Sequence, residues 1–307
     1  GICYMNNIIN QKLLENIIEK LKKINIDGIL DSGYLKKYLV EKNSLFPTIQ
    51  TTERPDLVAM ALLEGKCIII VDNSPYVLIT PCFFIDLFHT PDDYYQKTVT
   101  TTFIRIIRIL AFLIAIFIPA YYIAITTHNH DSVTTDLLLN FLAQRRTVPF
   151  PALVEGLIMT ISFEILRESD MRMASTMGTA VSILGGLVLG DAAVTAGIIS
   201  PIMIIVVAIS AISGLAFTSI ELTSAIRFYR ILFMILAASL GFYGIFLGFI
   251  LLVAKLASIT SFDIPYLAPF APLIKEEQKD AIFKINNGNK LKRRNPLLTT
   301  KNKIRGR

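Results

Sequence analysis

The stretch Ile109–Thr127, ILAFLIAIFIPAYYIAITT, decides the fold class. It runs for 19 residues without a charge, and at 1.5 Å rise per residue it reaches across roughly 30 Å of hydrocarbon. Arg105 and Arg108 precede it at i, i+3, where they can snorkel to one interface, while Tyr121 and Tyr122 suit the other. Pro119 predicts a kink. Counting in its flanking turn, this first span covers about 104–127. Farther along, residues 173–220 carry one charge, Asp191, and Gly197, Ser200 and Pro201 divide them into spans 173–196 and 201–220. Ile231–Ala254 is uncharged and closed by Lys255, a fourth span. Residues 101–260 are therefore expected to form an α-helical integral membrane domain.

The front of the chain reads differently. Residues 1–100 hold 10 Lys/Arg against 12 Asp/Glu, an ordinary soluble balance. Gly1–Met5 reads as a short strand, Asn10–Lys23 and Asp31–Val40 as helices, and Thr52–Gly65 as a helix that Thr52 can cap and Gly65 can end. Cys67–Val71 and Tyr76–Thr80 flank Asp72-Asn73-Ser74-Pro75, the pattern of a hairpin. Residues 1–100 thus predict part of a small α/β soluble domain, and the abrupt strand at Gly1 leads us to expect a beginning partway through a longer protein. Three cysteines, Cys3, Cys67 and Cys82, make no disulfide framework and suit a reducing compartment.

Pro151–Arg167 carries a polar stripe of Gly156, Thr160, Glu164 and Arg167 among leucines and isoleucines, which predicts an amphipathic helix at an interface or under protein cover. Residues 261–307 form a Pro-containing segment and a basic tail. The last part, 275–307, has 11 Lys/Arg against 3 acids, so the net +6 of the whole chain belongs to this tail. Such a tail stays cytoplasmic, as do Arg105 and Arg108, and four spans place the N-terminal domain and the tail on that same side. Arg227 and Arg230 fall on the outer side in this scheme, against the rule. The tail can bind anionic lipid headgroups or serve as a solvated topology signal. No basic residues interleave with aromatics in a folded segment, so no nucleic-acid partner is expected.

No Walker A pattern, Gly-x-Ser-x-Gly elbow or metal-spaced Cys/His cluster occurs, so neither an enzyme, a cofactor nor a metal is expected. His128 and His130 stand beside Asp131 in the loop after the first span, and such sparse ligands read better as loop polarity than as a metal site. Ser175, Thr179, Ser182, Gly186 and Gly190 share one helical face. That face fits close helix packing, or the lining of an aqueous path. Glu155, Glu164 and Asp191 are candidate charged residues for conduction or coupling. Glu155 equally suits a first helical turn, and Glu164 can pair with Arg167 at i+3.

In order along the chain stand Asp31-Ser32-Gly33-Tyr34, Phe46-Pro47, Thr52-Glu53-Arg54-Pro55-Asp56, Leu62-Leu63-Glu64-Gly65, Pro91-Asp92-Asp93-Tyr94-Tyr95 and Phe103-Ile104-Arg105-Ile106-Ile107-Arg108. Val148-Pro149-Phe150-Pro151-Ala152, Phe163-Glu164-Ile165-Leu166-Arg167-Glu168, Ala180-Val181-Ser182-Ile183 and Pro265-Tyr266-Leu267-Ala268-Pro269 follow. In this series the chain resembles the A subunits of GerA-type spore germinant receptors, from about Gly1 to Pro272. It departs from that pattern at Thr160, where the family has an acid, at Met173-Ala174 in place of Leu-Pro, and at Asn73 and Asp263 in place of glycines. The resemblance implies a multi-pass protein of the spore inner membrane, joined to a transporter-like, nutrient-binding B subunit and a lipoprotein C subunit. It also implies homo-oligomers of A subunits forming a cation channel opened by nutrient, with the 175–190 face as pore lining. A carrier and a non-conducting scaffold stay open as alternatives.

Overall fold

The computed structural model describes residues 1–40, 44–172, 185–186, 188, 190–217, 219–275, 277–284 and 297–299. Over these the chain is mostly helical, with a small antiparallel sheet near its N-terminus. It divides into two compact units. Unit 1 takes Gly1–Ile109, Phe217–Leu222 and the chain from Val253 on; unit 2 takes Leu110–Ala216 and Thr223–Leu252.

Unit 1 begins with strand β1 (Ile2–Cys3), helices α1 (Gln11–Lys22) and α2 (Ser32–Leu39), and strand β2 (Gln50–Thr52). Helix α3 (Pro55–Leu63), the hairpin β3 (Cys67–Ile70) and β4 (Val77–Thr80), and the single turn α4 (Asp92–Tyr95) follow. The sheet order is β1-β3-β4-β2, antiparallel throughout. The expected hairpin forms with Ile70 opposite Val77, and Asn73 at its tip takes φ 60°, a left-handed conformation that asparagine tolerates. Asn10 and Asp31 cap α1 and α2 with their side chains. Thr52 does not cap α3. It lies in β2, where its hydroxyl accepts from the Arg54 N–H, and Pro55 opens the helix.

Strand alternation divides the core of unit 1. Cys67 and Ile69 pack with Leu13, Ile17 and Leu35, while Ile68 turns to the other cluster with Ala61 and Ile79. The C-terminal segment completes the first cluster through Phe262, Ile264, Ala268, Ala281 and Leu298. Asn10 N–H donates to the Leu298 carbonyl at 3.0 Å, and Ile9 bridges to Thr299. The tail is thus not a separate solvated segment throughout. Gly65, at φ 87°, lies under it, and a Cβ there would fall 2.9 Å from the Leu298 carbonyl oxygen.

Helix α5 (Thr98–Thr127) starts in unit 1 and continues into unit 2, where α6 (Thr135–Arg145), α7 (Ala152–Arg172) and α8 (Pro201–Gly214) lie. Residues 190–195 are also helical. Helix α9 (Ile220–Ser258) belongs to unit 1 at both ends and to unit 2 between them. Helices α5 and α9 are each long and apolar enough to cross a membrane.

Helix α9 is two helices joined at Gly241, whose φ 62° and ψ −142° break the helical path. A Cβ on Gly244 would run into the Leu236 carbonyl, and one on Gly248 would lie 2.7 Å from the Phe233 ring. Residues 233 and 248 of a continuous helix would stand about 22 Å apart, so the second half runs back along the first. Phe117 agrees, with its ring 4.6 Å from that of Phe233 and 6.0 Å from that of Phe249. The stretch read as one span over 231–254 therefore reverses in its middle, because glycine alone reaches this backbone conformation without strain. Helix α8 ends at Gly214, short of the expected 220. Helix α7 runs past 167 to Arg172 and lies antiparallel to the first half of α9, with Gly156 against Met234 and Glu164 against Arg227.

Candidate functional site

In unit 1, motifs distant in sequence meet at Asp93. Arg108 forks onto its carboxylate, Nη1 and Nη2 each donating at 3.0 Å, and Arg105 Nε donates at 3.3 Å. Thr90 adds its N–H and its hydroxyl. Arg105 also donates to the carbonyl and carboxylate of Asp280, at 2.7 and 2.9 Å, and lies over the Tyr94 ring. Arg105 is 1% exposed, so it does not snorkel. It starts α5 as a buried cation held by two acids, and Arg108 likewise turns to Asp93 and the Phe88 carbonyl. Burial opposes ionisation of Asp93, but the Arg108 hydrogen bonds, the Thr90 N–H and the charges of Arg108 and Arg105 hold its carboxyl down at about 2. Arg54 joins Asp56 and Asp92 beside this cluster. Lys66, likewise buried, pairs with Asp86 at 2.6 Å and Glu64 at 3.5 Å.

Unit 2 is held by a second set of buried polar groups. Pro119 has no N–H, so the Ala115 carbonyl four residues earlier lacks its helical partner. Arg230 Nε and Ser210 Oγ both donate to it at 2.8 Å, and Arg230 Nη2 reaches the Ser210 carbonyl at 3.3 Å. Pro119 thus exports an acceptor that ties α5, α8 and α9 together. Glu155, fully buried, takes Arg145 Nε at 3.1 Å and the N–H and hydroxyl of Ser200 at 3.0 and 2.9 Å. Its carboxylate sits at the N-terminus of α8, where the helix dipole favours negative charge. Glu164 faces Arg227 of α9 at 3.1 Å and not Arg167, its expected partner on the same helix. At the reversal, His128 Nε2 meets the Ala238 carbonyl at 2.8 Å and Asn129 accepts from the Phe242 N–H at 2.9 Å, so the histidine loop caps both halves of α9.

Of the small-residue face, Ser175, Thr179 and Ser182 lie outside the described residues. Among the described residues a Cβ on Gly186 would meet nothing within 4 Å, and one on Gly190 would meet Ile204 at 4.0 Å, so neither glycine is closely packed against them. Asp191 is exposed. Glu155 and Glu164 lie more than two turns apart on α7 and serve separate contacts, so the three acids do not gather within one chain. Sequence reasoning missed the roles of Asp93, Arg145 and Arg230. An arginine inside an apolar helix was the available signal for Arg230.

The family described as Bacillus/Clostridium GerA spore germination protein matches residues 1–296. Spore germination protein KA of Bacillus subtilis (strain 168) is 45% identical over 286 residues, 93% of this chain and 53% of that protein. The membrane protein YfkQ of the same organism is 41% identical over 280 residues, 91% of this chain and 55% of that one. Spore germination protein GerLA of Bacillus cereus is 34% identical over 301 residues, 98% and 61% of the two lengths. The chain spans about half the length of the curated relatives it matches. No solved structure matches. The chain belongs to the GerA spore germination protein family.

Proposed function

We propose that this chain is the A subunit of a nutrient-germinant receptor in the spore inner membrane, where copies of it assemble into a nutrient-gated cation channel with no catalytic activity. The observation that carries the membrane reading is the inside-out character of unit 2. Glu155, Thr160, Ser210 and Arg230 are buried, while Ile161, Ile165, Ile212, Phe228, Ile235 and Phe246 are exposed. Charge turned inward and apolar side chains turned outward suit hydrocarbon as the surrounding solvent. Membership of a spore germination family directs that unit toward signalling by nutrient. Family resemblance supplies a nutrient-binding B subunit and a lipoprotein C subunit as partners, with bilayer lipid against the apolar surface.

The count of four spans becomes six in this reading. Helices α5, α7 and α8 and the two halves of α9 each cross, and the other passage is the span that the sequence leads us to expect at 173–196, much of which lies outside the described residues. Two excursions leave unit 1 and return to it, at 110–216 and 223–252. Segments folded into one core share one side of the membrane, and six crossings satisfy this. Arg227 and Arg230 then have partners inside the protein and cease to count against the topology. Reconstitution of the receptor with its partner subunits in potassium-loaded vesicles tests the function. Nutrient should release potassium only when this chain is present. Normal assembly without release would make it a scaffold, and uptake of labelled nutrient by the chain alone would make it a carrier.

A further inference from the structure

Where α7 ends beside the start of α9, unit 2 carries more positive charge than its own carboxylates neutralise. Glu164 faces Arg227 at 3.1 Å, and Arg167 and Arg230 lie within electrostatic reach of both. Arg230 is 4% exposed and, among the described residues, donates only to the carbonyls of Ala115 and Ser210. Glu168 is taken by Arg172, and Asp170 is exposed. Residues 171–190 contain no acid, so the chain that follows α7 brings no further carboxylate. Two carboxylates, Glu164 and Glu168, thus stand among four guanidiniums, a surplus of two positive charges. In hydrocarbon such a surplus is expensive unless an anion meets it. Arg227 keeps the capacity to hold one. Its Nε and Glu164 Oε2 are misaligned for a hydrogen bond, and among the described residues Nε has no other partner. Beside this arginine runs a groove of about 490 Å³, walled by Ile161 and Ile165 of α7 and by Phe228 and Ile231 of α9. Depth agrees with a headgroup. Arg227 comes about 10 Å along α9 from Ile220, and Arg167 about 8 Å before α7 ends at Arg172. The two helices are antiparallel, so both arginines can snorkel toward the same leaflet.

We infer that this groove holds an anionic phospholipid, its phosphate on Arg227 and Arg167 and an acyl chain along Ile161, Ile165, Phe228 and Ile231. Basic pockets between membrane helices select anionic headgroups in this way. A zwitterionic lipid has the same phosphate but carries its own cation, so it leaves the surplus charge unmet. The site rests on the membrane part of the reading above and not on conduction.

The chain contains no tryptophan, so Phe228→Trp supplies a single fluorescent reporter on the groove wall. The protein carrying it is reconstituted in phosphatidylcholine vesicles with a small, equal fraction of either brominated phosphatidylglycerol or brominated phosphatidylcholine, since bromine quenches tryptophan on contact. Phosphatidylglycerol should be preferred about fivefold or more. Arg227→Gln should cut that preference about fivefold, and Glu164→Gln, which enlarges the surplus, should raise it about fivefold. A gain on losing Glu164 is a result that a purely structural ion pair cannot give. Should Arg227→Gln fail to fold, Arg167→Gln takes its place with the same expected loss. Equal quenching by the two lipids, or a preference that none of these substitutions moves, overturns the site and leaves the membrane reading standing. Quenching by neither lipid removes the membrane reading of this face, and the site with it.

Discussion

Asp93 shows how one residue fixes the start of the first apolar helix. Arg105 and Arg108 lie one turn apart at the head of α5, and a single carboxylate takes both. An uncompensated buried cation is expensive, so loss of Asp93 exposes the cost of both arginines at once. The folded carboxyl titrates at about 2, below its ordinary 3.8. Its contribution is therefore complete above pH 4 and is lost as pH falls toward 2. Denaturation of the protein at a series of pH values should show this acid-side loss. Asp93→Asn should lower stability at neutral pH and flatten the dependence between pH 4 and 2; an unchanged slope would assign the acid sensitivity to other groups. Asp93 stood in a quoted motif, but its partners lie 12, 15 and 187 positions away through Arg105, Arg108 and, across Arg105, Asp280. Pairings over such separations follow from tertiary folding and leave no local pattern.

At the scale of elements, Gly241 matters most. Periodicity and hydropathy see only that residues 231–254 are apolar, and an isolated glycine inside an apolar helix is ordinary in membrane proteins. The reversal depends on a positive φ and on capping by Asn129 and His128, more than a hundred residues earlier. Gly241→Ala should destabilise the protein by about 2 kcal/mol or more, since alanine is strained there, and its Cβ would also run into Asn129 Oδ1. Thermal unfolding in detergent reads the loss. A cysteine pair at Leu236→Cys and Gly248→Cys should cross-link on oxidation, whereas a continuous helix would hold those positions about 18 Å apart. By contrast α1, α2 and the hairpin were legible, and α3 in place though not in its cap, because periodicity and turn residues act within a few positions. Pro119 was legible as a break in α5 but not as the source of a carbonyl for Arg230, since the acceptor's new partners come from two other helices.

For the molecule as a whole, six crossings make a clear prediction. A cysteine introduced at His130 in a Cys3-lacking variant should react with an impermeant thiol reagent only from the side opposite to that on which native Cys3 reacts. Cys3 is exposed, whereas burial pushes the Cys67 thiol up to about 11 and raises that of Cys82 further, so the two stay silent. Reaction of both sites from the same side would remove the scheme. Hydropathy pointed to a membrane domain, yet it could not assign the C-terminal segment to the core of unit 1, because Phe262, Ala281 and Leu298 are scattered apolar residues in a polar stretch. That assignment bears on how the protein is made. Asn10 and Leu297, which touch in the finished core, are separated by 287 positions. At ~5–20 residues per second a ribosome needs tens of seconds to deliver the second after the first. During that interval Leu13, Ile17 and Ile69 lack part of their cover while the intervening helices emerge, so unit 1 matures last and a nascent chain interrupted before Leu298 is a natural client for chaperones.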